Sequence, residues 1–183
     1  MRIISGRSKG RKIRHDGSDD LRPTSSKVRE SIFNILSDKI ENSRFLDLFA
    51  GTGAVGIEAL SRGASECTFV ESNSRRVKKL KNDLEALGLS GRSKVVHEDS
   101  MEFIVRAKKT LYDIIFADPP YDYKELEGIL DNLANMDIID SNGIVVIEHS
   151  SKRKMQNTYG NIKTVKTYKY GDTSITKFRR SNG

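Results

Sequence analysis

Five short apolar runs alternate with longer amphipathic stretches through most of the chain, and this alternation limits the possible folds. The runs predict β-strands at 45–49, 66–71, 94–97, 112–117 and 143–148. Apolar residues at helical spacing predict helices between them, at 54–62, 73–87, 100–109 and 123–135. Strands joined by helical crossovers form parallel sheets covered on both faces. The sequence therefore predicts an α/β fold with a mostly parallel sheet.

The two ends of the chain depart from that alternation. Residues 162–169 alternate in polarity, Tyr170-Gly171-Asp172 marks a turn, and a second strand follows, which predicts an antiparallel hairpin. Another helix is expected at 26–40, capped by Thr24, Ser25 or Ser26. We expect residues 1–25 to form a basic N-terminal arm with a small hairpin, and residues 26–183 to form one domain.

Charge is divided unevenly along the 183 residues. The net charge is +7, but residues 1–30 carry +5, residues 31–150 carry −6 and residues 151–183 carry +8. An acidic body with basic ends is typical of a catalytic domain whose flanks bind a polyanion such as nucleic acid.

Composition excludes several classes of protein. The apolar runs are only five or six residues long, so no transmembrane helix is predicted and no membrane partner is expected. A signal peptide is not predicted either, because basic residues follow Ile4 almost at once. The single cysteine, Cys67, cannot form an internal disulfide, which favours a cytoplasmic location. No metal site is predicted, because His15, His97 and His149 are scattered along the sequence.

The motif Asp118-Pro119-Pro120-Tyr121 comes directly after the predicted strand 112–117. Two prolines force the backbone out of the sheet at that point, and open α/β sheets bind ligands at the carboxyl ends of their strands. The motif offers an acid, carbonyls freed from strand pairing and an aromatic ring. Those groups suit a flat base with an exocyclic amine, which needs hydrogen-bond acceptors and a stacking surface.

A glycine loop, Gly51-Thr52-Gly53-Ala54-Val55-Gly56, lies between the first predicted strand and its helix. Glycine lets the backbone approach a ligand closely. The acid expected about twenty residues later to bind ribose hydroxyls is present as Glu71. This pattern alone fits both a nicotinamide-dinucleotide site and an S-adenosylmethionine site.

Three features favour S-adenosylmethionine. Asp47 precedes the loop, where a carboxylate would repel a pyrophosphate and attract an ammonium or sulfonium group. Asp99 follows the third strand, where it could accept the adenine amino group. The terminal antiparallel hairpin is foreign to an all-parallel dinucleotide-binding sheet. Structural roles for the acids, as a helix-dipole partner (Asp47) and as solvated loop residues (Glu71 and Asp99), remain the alternative.

Taken together, the motifs resemble those of class I S-adenosylmethionine-dependent methyltransferases that modify exocyclic amines. The residues that carry this resemblance are Asp47 to Gly53, Glu71, Asp99 and Asp118 to Tyr121. Motifs near the two ends of the chain resemble, more specifically, those of the RsmD family, whose members methylate N2 of one guanine in bacterial small-subunit ribosomal RNA. That narrower resemblance rests on Met1 to Gly6, Lys9-Gly10-Arg11, Leu21 to Thr24, Val28 to Leu36 and Tyr170 to Thr173.

The resemblance implies a seven-stranded Rossmann-like sheet, S-adenosylmethionine as cofactor, and ribosomal RNA as partner, within a small-subunit assembly particle. A monomer is expected. The implied catalytic residues are Asp118, Pro119, Pro120 and Tyr121. The implied cofactor-binding residues are Asp47, Phe49, Ala50, Gly51, Thr52, Gly53, Glu71, Asp99 and Ser100. The basic residues expected to position RNA are Arg2, Arg7, Lys9, Arg11, Lys12, Arg14, Arg22 and Arg29.

Two other functions remain open at this point. An adenine-N6 DNA methyltransferase can carry the same Asp-Pro-Pro-Tyr motif, although this chain has no spare length for a target-recognition region. A non-catalytic nucleic-acid-binding protein could retain the cofactor fold, although the intact Asp118 and glycine loop argue against it.

Overall fold

A computed structural model describes residues 1–13, 25–107 and 110–181. Within these ranges, five α-helices and eight β-strands follow one another in chain order. They are α1 (Ser26–Leu36), β1 (Arg44–Leu48), α2 (Ala54–Ser61), β2 (Glu66–Glu71), α3 (Ser74–Ala86), β3 (Ser93–His97), α4 (Ser100–Arg106), β4 (Tyr112–Ala117), α5 (Leu126–Asn135), β5 (Ile139–Ser150), β6 (Thr158–Tyr159), β7 (Ile162–Tyr170) and β8 (Thr173–Arg180). Short 3-10 turns cover Ser37–Lys39 and Ser90–Arg92.

The strands form one sheet in the order β3-β2-β1-β4-β5-β8-β7-β6. Strands β1 to β5 pair in parallel, whereas β8, β7 and β6 are antiparallel to their neighbours. The predicted α/β architecture and its terminal hairpin are therefore confirmed. The two-residue strand β6 is an eighth strand that the sequence did not reveal, because two residues are too few to show an alternating pattern.

Apolar residues fill the space on both faces of the sheet. One core cluster packs α1, α2 and α3 against the sheet and includes Ile32, Ile57 and Leu80. The other packs α4 and α5 against the opposite face and includes Phe103 and Ile129. None of the helices in the described ranges is both long and apolar enough to cross a bilayer.

Helix α1 is shorter than the predicted 26–40. The Oγ of Ser25 caps its start by accepting from the N–H of Val28 at 3.2 Å. The helix ends at Leu36 because Ser37 takes a left-handed φ of 50°. A left-handed residue cannot continue a right-handed helix, so the expected last turn becomes the 3-10 segment.

The N-terminal hairpin is packed onto the domain and does not extend from it. Arg2 and Lys12 form an antiparallel bridge, and Ile3 and Ile13, each 2% exposed, enter the core beside α1 and α2. Deleting this segment would expose that core, so the hairpin is part of the folded unit. The rest of the predicted arm, residues 14–24, lies outside the described residues.

Candidate active site

A cleft of about 470 Å³ opens at the carboxyl ends of the parallel strands. It lies where β1 and β4 are neighbours and the strand order changes direction, which is the usual ligand site of open α/β sheets. One part is lined by the glycine loop and by acids that follow β2 and β3, and another by the Asp-Pro-Pro-Tyr loop and the ends of β5 and β8.

Unusual backbone angles shape the glycine loop. Phe49, Gly51 and Gly53 all have positive φ, at 61°, 54° and 73°. The N–H of Gly51 donates to Oε2 of Glu71 at 2.8 Å, and the N–H of Ala50 donates to the carbonyl of Val70 at 2.9 Å. The loop is therefore tied to the end of β2, which fixes the surface that it presents to the cleft.

Hydrogen bonds from neighbouring backbone N–H groups hold Glu71 and Asp99 at the cleft. Glu71 is 5% exposed, and its Oε1 accepts from the N–H of Asn73 at 2.8 Å and lies 3.6 Å from Arg76. Asp99 caps α4 by accepting from the N–H groups of Met101 and Glu102. Each carboxylate can accept about four hydrogen bonds, so both keep capacity for hydroxyl or amino groups of a ligand.

Asp47 lies beneath the glycine loop and not on the cleft wall. Its side chain is 2% exposed, and its Oδ2 accepts from the N–H of Gly56 in the first turn of α2 at 2.9 Å. Burial raises the pKa of Asp47 well above its ordinary value, and the nearby charges of Asp118 and Glu71 raise it further. The helix-dipole role of Asp47 is therefore observed, because its carboxyl accepts from the first turn of α2.

The predicted cofactor residues divide into two groups. Five of them line the cleft, namely Phe49, Gly51, Glu71, Asp99 and Ser100. The other four, Asp47, Ala50, Thr52 and Gly53, are absent from its lining. A Cβ on Gly53 would overlap Leu80 of α3 and would not enter the cleft. Gly53 is thus required by its left-handed φ and by packing, which corrects the expectation that it leaves space for a ligand.

All four residues of the Asp-Pro-Pro-Tyr motif line the cleft directly after β4. A tight turn follows them, in which the N–H of Tyr123 donates to the carbonyl of Pro120 at 2.9 Å. The ring of Tyr123 contacts that of Phe49 edge to face, with centroids 5.2 Å apart. Tyr121 is 49% exposed at the mouth, a position open to a flat partner.

Glu148 and Thr173 are cleft residues that the sequence reasoning missed. Glu148 is 6% exposed and follows the apolar run 144–147 of β5, as Asp118 follows β4. The last pair between these strands is Ala117 with Ile147, so Asp118 and Glu148 come next on adjacent strands. The rule that singled out Asp118, an acid at the carboxyl end of an apolar strand, would have found Glu148 as well.

The basic residues expected to bind RNA do not gather at this cleft. Arg29 is fully buried, and its Nη2 donates to the carbonyl of Arg2 at 2.7 Å while its Nε lies 3.8 Å from Glu58. Burial lowers the pKa of Arg29, and the Glu58 carboxylate opposes that change. The structure therefore contradicts an RNA contact by Arg29. Arg14 and Arg22 lie outside the described residues.

Much of the N-terminal hairpin faces the opposite end of the sheet. The N–H of Arg7 donates to the carbonyl of Ser61, and the Arg11 guanidinium donates to the carbonyls of Ala86 and Leu87 at 2.6 and 2.7 Å. These carbonyls lie at the C-terminal ends of α2 and α3. Both helices start at the cleft side of the sheet and run back, so the hairpin tip, residues 6–11, is far from the cleft. Arg2, Lys9 and Lys12 are exposed.

The cleft offers hydrogen-bond acceptors and the aromatic ring of Tyr121. Within the described ranges, no group of three or more His, Cys, Asp or Glu side chains could hold a metal ion. The lining instead offers carboxylates, backbone groups and exposed aromatic surface, which suits a nucleoside-bearing ligand and a base that carries an amine.

Known proteins resemble this chain in both sequence and fold. A profile of the family described as Conserved hypothetical protein 95 matches residues 1–179. Ribosomal RNA small subunit methyltransferase D of Escherichia coli is 38% identical over 143 residues, which cover 78% of this chain and 68% of that protein. YlbH of Bacillus subtilis is 35% identical over 182 residues, covering 98% of this chain and 99% of that protein.

Solved structures give the same picture. The structure of yhhF from Escherichia coli superposes with a TM-score of 0.89 at 32% identity, covering 100% of this chain and 99% of that one. SMU.776, solved in complex with SAH, shares the fold with a TM-score of 0.68 at 16% identity, over 84% of this chain and 48% of its own. From its sequence, its fold and the site that the fold assembles, this chain belongs to the RsmD family of ribosomal RNA methyltransferases.

Proposed function

We propose that this protein transfers a methyl group from S-adenosylmethionine to the exocyclic N2 of a guanine in small-subunit ribosomal RNA. Membership of the family supports methyl transfer to ribosomal RNA. The choice of guanine rests on one observation, which is that Asp118 directly follows β4, Glu148 lies at the next position along the adjacent strand β5, and both line the same cleft.

Two neighbouring carboxylates match the hydrogen-bonding edge of guanine. Guanine carries donors on both N1 and N2, so Glu148 would accept from N1–H while Asp118 accepts from the amine. Adenine carries an acceptor at N1 beside its amine, and a second carboxylate would face that lone pair. A site that hydrogen-bonds one pattern of donors rejects the other strongly, because its buried polar groups are left unpaired.

The cleft residues fit the cofactor. Glu71 would bind ribose hydroxyls, Asp99 would accept from the adenine amino group, and Gly51 would let the ligand pass close to the backbone, since all three line the cleft. Phe49 and Ser100 complete this part of the wall. When bound, S-adenosylmethionine supplies a methyl group that its sulfonium makes electrophilic.

Asp118 and the carbonyl of Pro119 would then orient the amine. The lone pair of guanine N2 is delocalised into the ring, and acceptors for both N–H bonds favour its localisation. They also stabilise the positive charge that develops on nitrogen. A hydrogen bond to a charged group is worth about 1.5–3 kcal/mol, which corresponds to roughly one to two decades in rate if it forms mainly in the transition state. Pro120 fixes the turn, and Tyr121 stacks on the base with about 1–3 kcal/mol.

Identification of the methylated nucleoside tests this proposal directly. Purified protein is incubated with methyl-labelled S-adenosylmethionine and either small-subunit ribosomal RNA or DNA, and the nucleosides are separated by mass spectrometry. N2-methylguanosine from RNA is the expected product. N6-methyladenosine from DNA would instead make the chain an adenine methyltransferase, and no transfer despite cofactor binding would overturn catalysis. Comparison of protein-free RNA with assembly particles identifies the form of RNA that is modified.

A further inference from the structure

Four basic side chains share one face of the β7–β8 hairpin. Lys166 pairs with Lys177 across the two strands, and Lys163 pairs with Arg179. Cross-strand partners, and residues two apart on a strand, point to the same side of a sheet. That side is the α1 side, because Nζ of Lys177 donates to the carbonyl of Ile35 at 3.1 Å. We call Lys163, Lys166, Lys177 and Arg179 the hairpin basic face.

These positive charges repel one another. Burial lowers the pKa of Lys177, and the positive charge of Arg179 lowers it further, whereas Asp38 acts in the opposite direction. Lys163, Lys166 and Arg179 are exposed, and none of them forms an ion pair with an acid in the described ranges. Like charges directly opposite on paired strands destabilise a hairpin, and a bound polyanion would relieve that repulsion.

The hairpin basic face leads to the mouth of the cleft. Thr173, the first residue of β8, lines the cleft and pairs with Tyr170 at the end of β7. From Thr173 to Arg179 the strand extends roughly 20 Å at about 3.3 Å per residue. A nucleic-acid strand with one base in the cleft could therefore follow the hairpin over several phosphates.

We propose that the hairpin basic face binds the phosphate backbone of the substrate RNA next to the methylated base. The proposal rests on the proposed function for its choice of RNA as the polyanion. It moves the main RNA contact from the tip of the N-terminal hairpin, which is anchored on α2 and α3, to a hairpin that reaches the cleft at Thr173.

A pair of matched double variants tests this placement. The first double variant, Lys166→Gln with Arg179→Gln, removes two charges from the hairpin basic face. The control, Lys9→Gln with Arg7→Gln, removes one lysine and one arginine from the N-terminal hairpin tip. Affinity for in vitro transcribed, protein-free small-subunit ribosomal RNA is measured over a range of salt concentrations. Thermal unfolding of both variants shows whether they remain folded.

The first variant should bind RNA roughly tenfold more weakly. The slope of log affinity against log salt concentration should be smaller in magnitude by about 1.4 if both contacts are made to single-stranded RNA. The control should retain the affinity and slope of the unchanged protein. Unchanged binding by the first variant, or an equal loss in the control, would overturn the proposal. Because the readout is binding, a protein that binds RNA through this face without methylating it would refute the proposed function and leave this inference standing.

Discussion

The hydroxyl of Tyr121 lies 2.5 Å from Oγ1 of Thr173, and this hydrogen bond joins the loop after β4 to the first residue of β8. Tyr121 is otherwise a half-exposed ring on a short loop, so Thr173 restricts where the ring can lie. The contact also connects the proposed base-stacking residue to the hairpin that carries the hairpin basic face.

Thr173→Val should lower kcat about 2- to 10-fold, because a neutral hydrogen bond worth about 0.5–1.5 kcal/mol no longer holds the Tyr121 ring. Tyr121→Phe should have a similar effect, and the double variant should be no worse than either single variant. Steady-state kinetics with cofactor titration measure these effects. Additive losses in the double variant would show that the two hydroxyls act separately.

Asp118→Ala should remove most methyl transfer while the affinity for the cofactor stays within a few-fold. Asp118 is expected to face the acceptor amine, whereas the cofactor contacts assigned to the cleft are at Gly51, Glu71 and Asp99. Calorimetry measures cofactor binding, and radiolabelled transfer measures turnover. Near-normal turnover by the purified variant would refute a catalytic role for Asp118.

Glu148→Gln should reduce kcat/KM for the guanine substrate about 10- to 100-fold, since the neutral amide oxygen accepts from N1–H more weakly than the carboxylate and the amide NH2 adds a donor beside the base. Glu85→Gln, at an exposed residue of α3, serves as the matched control and should have little effect. A loss of cofactor affinity equal to the loss of turnover would instead place Glu148 at the cofactor.

The sequence predicts the strands well because β1, β2, β4 and β5 each contain a buried, mostly apolar run, and the edge strand β3 still carries Val95 and Val96. It predicts the Asp-Pro-Pro-Tyr loop for the same reason, since that loop follows such a run. It could not reveal that Arg29 is buried, because an arginine on an amphipathic helix with several other charged and polar residues resembles a solvated one. The burial arises from Met1 and Arg2 of the hairpin and from Glu58 of α2, which only the folded chain brings around Arg29.

The role of Gly56 also depends on residues of β2, which do not neighbour it in the sequence. A Cβ at this position would overlap the ring of Phe69 and lie 2.7 Å from Sγ of Cys67, both on β2. Gly56→Ala should therefore destabilise the fold by about 1–3 kcal/mol. Urea denaturation measures this change, and Gly91→Ala, which meets no atom within 4 Å, is the control. Equal stability of both variants would show that α2 can move away from β2 freely.

Asp47→Asn should stabilise the protein at pH 7. Burial raises the pKa of Asp47 in the folded state. The contribution of this carboxyl to the free energy of unfolding is therefore fully present below its ordinary pKa of about 3.9. That contribution is lost as the pH rises through the pKa of the folded state. An amide can still accept from Gly56 without this cost, so we expect a gain of about 1–3 kcal/mol at pH 7 that shrinks toward pH 4. Urea denaturation across this range measures it, and a difference independent of pH would contradict the titration of Asp47.

Strand β7 lies near one border of the sheet, and β6 covers only Ile162 and Lys163 of its outer side. Beyond those residues, an uncovered strand could pair with the same strand of another molecule and begin aggregation. Lys166 and Lys169 lie on this stretch, and the register shift between Thr164 and Lys166 disturbs its regularity. Charged side chains and bulges are the usual protection against such pairing. Lys166, proposed here to contact RNA, would thus also help keep the free protein from self-association before RNA arrives.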